Sequence, residues 1–371
     1  MVNETEILCK HCILPSSGPI KFDGDGRCQL CAASPEGKPA VAAPGPDPTL
    51  LEHQVERIRA QGKGKPYDCI IGLSGGRDSS YLLHLLVNKH NLRCLAGYYR
   101  TPFTSDTTDA NVRRMTSKLG VALVELELSQ DYHKRIAREM TLLWKRRPHS
   151  IIINMACSPC KFLHYEIYRL AEKHGIPNII FGVNRMENVQ IAASVSSKAS
   201  LTSLEGGIIE LNLLKQIRKN FMLLRKGIDL LFNYRALWKY IPLGFKSSIL
   251  YLSPHTPYLR FRFARISILE YFYFAEWDER ECENALSELG WQLPQGCNST
   301  WKSDCSFAEL KNLMFKQTTN ITYMDAYLSN LVRNGVITRE EALSRSRTEG
   351  APSPSRLAQS CEVLSLPSSF I

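Results

Sequence analysis

The residues with the clearest chemistry are the seven at positions 74–80, Ser-Gly-Gly-Arg-Asp-Ser-Ser. The apolar run Tyr67–Leu73 before them is typical of a strand buried in a parallel sheet. Apolar residues recur at helical spacing after Asp78 and predict a helix. Two adjacent glycines let the backbone approach a ligand, and the amides at the start of a helix point toward it. Because the serine hydroxyls add donors, we predict that this loop binds phosphate.

An ordinary turn is the alternative, since Gly-Gly and serine are common between a strand and a helix. The complete string between such elements favours phosphate. The loop is not a Walker A loop, because no G-x-x-x-x-G-K-[ST] pattern is present. We assign catalytic roles to Ser74, Arg77 and Asp78. The predicted ATP contacts within the loop are Ser74, Gly75, Gly76, Asp78, Ser79 and Ser80.

Four cysteines near the N-terminus have the spacing C-x2-C-x15-C-x2-C; they are Cys9, Cys12, Cys28 and Cys31. Two CxxC knuckles supply the four soft ligands of tetrahedral zinc. We therefore predict a small ribbon held by one structural Zn2+. Four protein ligands leave no open coordination position, so we assign the ribbon no catalysis.

A second group of cysteines lies inside the main domain. Cys157 and Cys160 form a CxxC pair before a predicted helix, whose N-terminus favours thiolate, and Cys305 is a third candidate far along the chain. The three thiols suit an iron–sulfur cluster with one open iron, or a metal completed by another group. The alternatives are buried small residues or half of another zinc site. We predict that the three lie together beside the ATP site.

Strand-like and helix-like segments alternate from residue 67 to residue 182, and this predicts an α/β fold with a doubly wound parallel sheet. Ligands bind at the carboxyl ends of such strands. Gly182 and Asn184, which follow a predicted strand, therefore join the predicted ATP site. The predicted division of the chain is a ribbon at 1–33, a linker at 34–48, the ATP domain at 49–200, a helical substrate or partner region at 201–343 and a disordered tail at 344–371.

Composition adds bounds on partners and location. The chain has 371 residues, 46 Lys and Arg against 36 Asp and Glu, and a net charge of +10, which suits an anionic substrate, nucleic acid or an acidic membrane surface. The basic segment 215–246 is the candidate for peripheral membrane or nucleic-acid contact, the alternative being a solvated helix face. No apolar run reaches the roughly 18 residues of a membrane span, and the first residues lack a signal peptide. We expect a cytoplasmic protein with reduced thiols; its oligomeric state is not indicated.

The chain resembles the N-acetyl sugar amidotransferases, which belong to the PP-loop ATP pyrophosphatases. The resemblance covers residues 7–185 and 274–343 and rests on CKHC–CQLC, YDCIIGLSGGRDS, CSPC with GIPNIIFG, WDERE…LGW…SDC, and LVRNGVITREEAL. It implies ATP-driven adenylation of the acetamido oxygen of a nucleotide-linked sugar, with ammonia giving an acetamidino group in surface-polysaccharide synthesis. It also implies a separate glutaminase-type subunit as the ammonia source, and Mg2+ is expected on the ATP phosphates.

A PP-loop sulfurtransferase acting on tRNA or a small molecule is the alternative. Such enzymes also combine an N-terminal zinc ribbon with a CxxC pair and a third cysteine, and the basic charge suits RNA. In that case the internal cysteines would hold an iron–sulfur cluster.

Overall fold

A computed structural model describes residues 7–16, 20–32, 46–126, 128–187 and 235–370. Its centre is a parallel sheet of five strands in the order β3-β2-β1-β4-β5. The strands are β1 Cys69–Leu73, β2 Cys94–Tyr98, β3 Ala122–Glu125, β4 Asn178–Phe181 and β5 Ser267–Glu270. The predicted α/β fold with a parallel sheet is confirmed.

Helices surround the sheet and form most of the C-terminal part. The first seven are α1 Gln29–Ala32, α2 Pro48–Gly62, α3 Arg77–His84, α4 Asp106–Lys118, α5 Gln130–Arg146, α6 Ser150–Ala156 and α7 Phe162–Lys173. The next seven among the described residues are α8 Ile241–Phe245, α9 Pro257–Arg262, α10 Glu279–Glu288, α11 Phe307–Thr319, α12 Tyr323–Arg333, α13 Arg339–Thr348 and α14 Pro354–Val363.

Alternating residues of β1 explain why helices cover both faces of the sheet. Ile70 packs into a core with residues of α7 and α9, whereas Ile71 packs with residues of α2, α3, α4 and α10. Successive strand residues point to opposite faces, so an uninterrupted apolar strand is buried on both sides.

The strand order fixes where a ligand can bind. β1 pairs with β2 on one side and with β4 on the other, so connections leave β1 in opposite directions. A crevice opens outside the carboxyl ends of the strands at such a switch point. Ser74 after β1, Tyr99 after β2 and Gly182 after β4 therefore share one edge of the sheet.

The C-terminal residues are folded, and the prediction of a disordered tail at 344–371 is wrong for the described residues up to 370. α14 is capped by Ser353, whose hydroxyl accepts from the amide of Arg356. Leu357, Cys361 and Leu364 are buried against the core. Their i, i+4, i+7 spacing is an apolar helical stripe, which the Ser, Pro and Arg content of the segment obscured.

Two predicted segments lie largely outside the described residues. They are the linker 34–48, described only from residue 46, and the basic segment 215–246, described only from residue 235. Within the described residues, none of the helices has both the length and the apolar character required to cross a bilayer.

Candidate functional site

The loop after β1 has a backbone that only glycine can supply at position 75. Gly75 has φ +84°, and a Cβ there would lie 2.7 Å from Thr108 Cγ2 and 2.9 Å from the Thr108 carbonyl oxygen. A positive φ is costly for other residues, and the carbonyl contact leaves no room for a side chain. The loop is thereby held against the start of α4.

Hydroxyl and amide groups converge at the start of α3. The Ser74 and Ser79 hydroxyl oxygens are 3.2 Å apart, the amide of Ser74 donates to Ser79 Oγ at 3.2 Å, and the amide of Gly76 donates to Ser74 Oγ at 3.3 Å. Ser74 is exposed to solvent. Ser80 is fully buried, and its hydroxyl has no hydrogen-bond partner among the described residues. This arrangement of donors at a helix N-terminus can hold an anion.

Asp78 is buried beside these donors. Its Oδ1 accepts from Arg77 Nε at 2.9 Å, whereas its buried Oδ2 has no hydrogen-bond partner among the described residues. Burial raises the pKa of the Asp78 carboxyl. A buried carboxylate oxygen without a partner is costly, and a hard cation such as Mg2+ takes such oxygen ligands. Asp78 therefore fits a Mg2+ ion carried on ATP phosphates.

Arg77 turns away from the loop into the C-terminal helices, with only 2% of its surface exposed. Its NH1 donates to Glu279 at 2.5 Å and to Thr300 at 3.0 Å, and its NH2 donates to Tyr327 at 3.4 Å. The guanidinium thus ties the loop to α10, α12 and the segment before α11. Its predicted catalytic role remains a prediction.

Two more C-terminal residues contact the loop directly. Trp291 Nε1 donates to the Gly75 carbonyl at 3.0 Å. Asp304 lies over Gly76, where its Cγ is 3.2 Å from the position of a Cβ. Burial raises the pKa of Asp304. The C-terminal half therefore forms one wall of the phosphate site.

The end of β4 also reaches the loop. A Cβ on Gly182 would lie 3.3 Å from the Asp78 carbonyl oxygen. Asn184 is buried, and its side-chain oxygen accepts from the amide of Met186 at 2.9 Å. Its Nδ2 has no hydrogen-bond partner among the described residues, so Asn184 has a donor to offer a ligand.

The four N-terminal cysteines form one buried group, with all ligand sulfurs within 4.8 Å of one another. Cys12 and Cys28 have their sulfurs 3.7 Å apart, close to the roughly 3.8 Å that tetrahedral Zn–S bonds of about 2.3 Å require. The donor set fits structural zinc. Arg333 donates to Cys12 Sγ at 3.7 Å, and Arg339 donates to the carbonyls of Cys9 and Cys12 at 3.1 Å each.

The three internal cysteines are close enough for the charge of one to affect the pKa of another. Burial, followed by the charges of Cys157 and Cys305, raises the pKa of Cys160. Burial, followed by the charges of Asp304 and Cys157, raises the pKa of Cys305 to about 12. Asp304, which precedes Cys305, lies over Gly76 of the loop; that all three thiols lie together beside the ATP site stays a prediction.

The distances between the sulfurs of these cysteines limit which metal group they can bind. Among the described residues, only the N-terminal set brings three or more metal-binding atoms within 4.8 Å. The internal thiols are thus spread wider than ligands of one ion. An iron–sulfur cluster distributes its cysteines over several irons, so the cluster stays a prediction for these three partly buried thiols.

The sequence did not predict the lysines beside the thiols. Lys302 is exposed as a residue, and desolvation of its ammonium lowers its pKa to about 8. The Tyr323 ring centroid is 4.6 Å from the Lys302 ammonium and 5.0 Å from that of Lys311. Lys161 also lies within range of the Lys311 charge. Lys161 and Lys311 therefore place positive charge near the Cys160 thiol, and no spacing rule in the sequence links these lysines.

His133 is the second residue that the sequence did not predict. Its Nε2 is 3.6 Å from Cys160 Sγ and its Nδ1 is 3.1 Å from the Tyr99 hydroxyl. The two residues lie 27 positions apart on different helical segments, so no spacing pattern in the sequence joins them.

Comparison with known proteins gives structural likeness only. No family model matches this chain, and no curated protein matches it significantly. Solved structures that resemble it include an NH3-dependent NAD synthetase from Campylobacter jejuni (16% identity, 38% of this chain and 58% of that chain, TM-score 0.27). Another is an NMN synthetase from Francisella tularensis (16% identity, 38% and 56%, TM-score 0.28).

A U34-tRNA thiolase from Methanococcus maripaludis, with its [4Fe-4S] cluster, matches 98% of this chain and 89% of its own at 13% identity and a TM-score of 0.33. This chain spans only 58% and 56% of the two synthetases. At these identities and TM-scores we take no function from the similar structures.

Proposed function

We propose that this chain is an ATP-dependent enzyme of the PP-loop type that releases AMP and pyrophosphate. The observation that carries the proposal is the loop at the start of α3. Amides and hydroxyls of Ser74, Gly76 and Ser79 converge there at the carboxyl edge of a parallel sheet. The unpaired Asp78 oxygen lies beside them.

The donors suit the pyrophosphate end of ATP. An acceptor oxygen attacks the α-phosphorus, the bond from that phosphorus to the β-phosphate oxygen breaks, and the electron pair leaves with pyrophosphate. Loop amides and hydroxyls stabilise the charge on the departing group, and a donor of this kind is typically worth about 2.7–4 kcal/mol of barrier. Mg2+, when bound, neutralises phosphate charge, and Asp78 would hold it.

The second half of the reaction replaces the activated oxygen. Ammonia attacks the adenylated carbon, the carbon–oxygen bond breaks, and AMP leaves with the former amide oxygen. An acetamido group thereby becomes an acetamidino group. We propose a nucleotide-linked sugar as the acceptor and a glutaminase-type subunit as the ammonia source.

The C-terminal motifs support this finer proposal. Glu279 of WDERE binds Arg77, Trp291 of LGW binds the Gly75 carbonyl, and Asp304 of SDC covers Gly76. WDERE, LGW and SDC, on which part of the resemblance to the sugar amidotransferases rests, therefore contact the loop or its Arg77.

Sulfur transfer is the second candidate, and the internal thiols favour it. Cys305 directly follows Asp304 at the loop, and its neighbours Cys157 and Cys160 complete a soft donor set. A cluster there would supply an open iron for a sulfur atom. The attacking atom on the adenylated carbon would then be sulfur instead of nitrogen.

Product analysis tests the shared first half. With a sugar nucleotide or an RNA acceptor and ammonium or sulfide, we expect AMP and pyrophosphate in equal amounts, and ADP as the stoichiometric product would refute the proposal. Ser74→Ala and Asp78→Asn should lose turnover. Ser117→Ala, at an exposed position of α4, is the matched control and should retain it.

The choice of acceptor and nucleophile decides between the candidates. Turnover of a sugar nucleotide with ammonium supports the amidotransferase. Turnover of RNA with sulfide, in protein purified without oxygen, supports sulfur transfer.

A further inference from the structure

Tyr99, His133 and Cys160 form a chain of side-chain contacts beside the phosphate site. The Tyr99 oxygen is 3.1 Å from His133 Nδ1, and His133 Nε2 is 3.6 Å from Cys160 Sγ. Only 1% of the His133 surface is exposed. The Phe103 ring packs edge-on against the imidazole at 5.5 Å, which restricts its rotation. Both ring nitrogens therefore have a side-chain partner.

A neutral imidazole has one donor and one acceptor nitrogen. Only a neutral ring is considered, because His133 is almost fully buried and burial favours the uncharged form of an imidazole. Burial raises the pKa of Tyr99, so its phenol keeps its hydrogen. Two arrangements remain. In one, Tyr99 donates to Nδ1 and the Nε2–H donates to sulfur; in the other, Nδ1–H donates to Tyr99 and the thiol donates to Nε2.

Counting hydrogens separates the two arrangements. The Tyr99 hydroxyl has no second hydrogen-bond partner in the described part of the chain. In the second arrangement its hydrogen would be buried and unpaired, which costs about 1–3 kcal/mol. The first arrangement leaves only the Cys160 S–H without an acceptor, which costs less because a thiol is a weak donor.

We propose that Tyr99 fixes His133 as its Nε2–H tautomer and that this N–H is directed at the sulfur of Cys160. His133 is then a positioning residue for that sulfur, and Tyr99 determines which His133 nitrogen carries the hydrogen. A sulfur that receives an N–H is suited to carry negative charge as a thiolate ligand. An outer hydrogen bond of this kind orients a ligand and tunes the group that it binds. This chain of contacts from Tyr99 through His133 to Cys160 does not depend on whether the enzyme transfers nitrogen or sulfur.

The test is the tautomer of His133, read by nitrogen-15 NMR of histidine-labelled full-length protein at pH 7. His164 provides an internal reference of the opposite kind. Its Nδ1 is 2.8 Å from the Tyr251 carbonyl, which can only accept, and burial lowers its pKa to about 4. We expect Nε2–H for His133 and Nδ1–H for His164. An Nδ1–H tautomer at His133 in the unmodified protein would overturn the proposal.

Two variants test the contacts of His133 with Tyr99 and with Cys160. Tyr99→Phe removes the hydrogen that sets the tautomer, so the Nδ1–H form of His133 should become populated. Cys160→Ala removes the sulfur, so the His133 Nε2 proton should shift and exchange faster with solvent. Cys282→Ala, which removes a buried thiol on α10, is the control and should leave the His133 signals unchanged. Unchanged His133 signals in both Tyr99→Phe and Cys160→Ala, with the His164 signals intact, would also overturn it.

Discussion

Replacing Gly75 by alanine tests whether the loop geometry is as tight as described. The new Cβ would lie 2.7 Å and 2.9 Å from Thr108 atoms, one of them a backbone oxygen, and 2.9 Å from Val112 Cγ2, at φ +84°. The left-handed conformation costs about 1–2 kcal/mol. Overpacking adds about 1–3 kcal/mol, because the carbonyl cannot rotate away. We expect a loss of about 2–5 kcal/mol in the free energy of unfolding.

Gly120→Ala is the matched control, because Gly120 has φ +63° and nothing within 4 Å of a Cβ. It should lose only the conformational part, about 1–2 kcal/mol. Urea unfolding followed by tryptophan fluorescence measures both variants, and Trp291, bonded to the Gly75 carbonyl, reports on the loop itself. ATP–pyrophosphate exchange should fall in Gly75→Ala and persist in Gly120→Ala. Equal losses of stability in the two variants would refute the steric reasoning.

Three further outcomes are expected. A Cys9→Ser/Cys28→Ser double variant should lose one bound zinc per chain by metal analysis, and unchanged zinc content would contradict the ribbon site. Arg77→Met should destabilise the fold by about 3–5 kcal/mol in urea unfolding, because it leaves Glu279 with one cation fewer in a buried network. Adding Glu279→Gln should recover part of this loss of stability. Purely additive effects of the two substitutions would show that Arg77 and Glu279 are not coupled. Burial raises the pKa of Glu187 from 4.5 to about 7, so its contribution to stability is present below pH 4.5 and is lost as the pH rises through 7. Glu187→Gln should not show this loss, and parallel profiles of stability against pH in the two proteins would contradict the prediction.

Local patterns predicted the parts of the protein that depend on neighbouring residues. The apolar run before Ser74 became β1, and the Gly-Gly pair became a turn at the start of α3. The two CxxC pairs became one compact group of sulfurs. Each of these features is set by spacing within a few residues or by a ligand set with one preferred geometry.

Contacts between residues far apart in the sequence could not be predicted from such local patterns. Arg77 was assigned to catalysis because it lies in the loop, but besides its bond to Asp78 it donates to three residues more than 200 positions away. His133 and Cys160 meet because α5 packs against the 3-10 turn Ser158–Lys161 that precedes α7, which no spacing rule encodes. The folded tail was missed because composition averages over a short apolar stripe that only a helix aligns.

The contact between the ribbon and the last helices has a consequence for biosynthesis. The amide of Ile13 donates to the Ser329 hydroxyl at 3.3 Å, across a separation of 316 residues. At about 5–20 residues per second, the ribosome needs roughly 15–60 s to make the later partner after the earlier one. During that time the ribbon cysteines lack Arg333 and Arg339. The contacts between the ribbon and α12 and α13 therefore form only after those two helices have been translated.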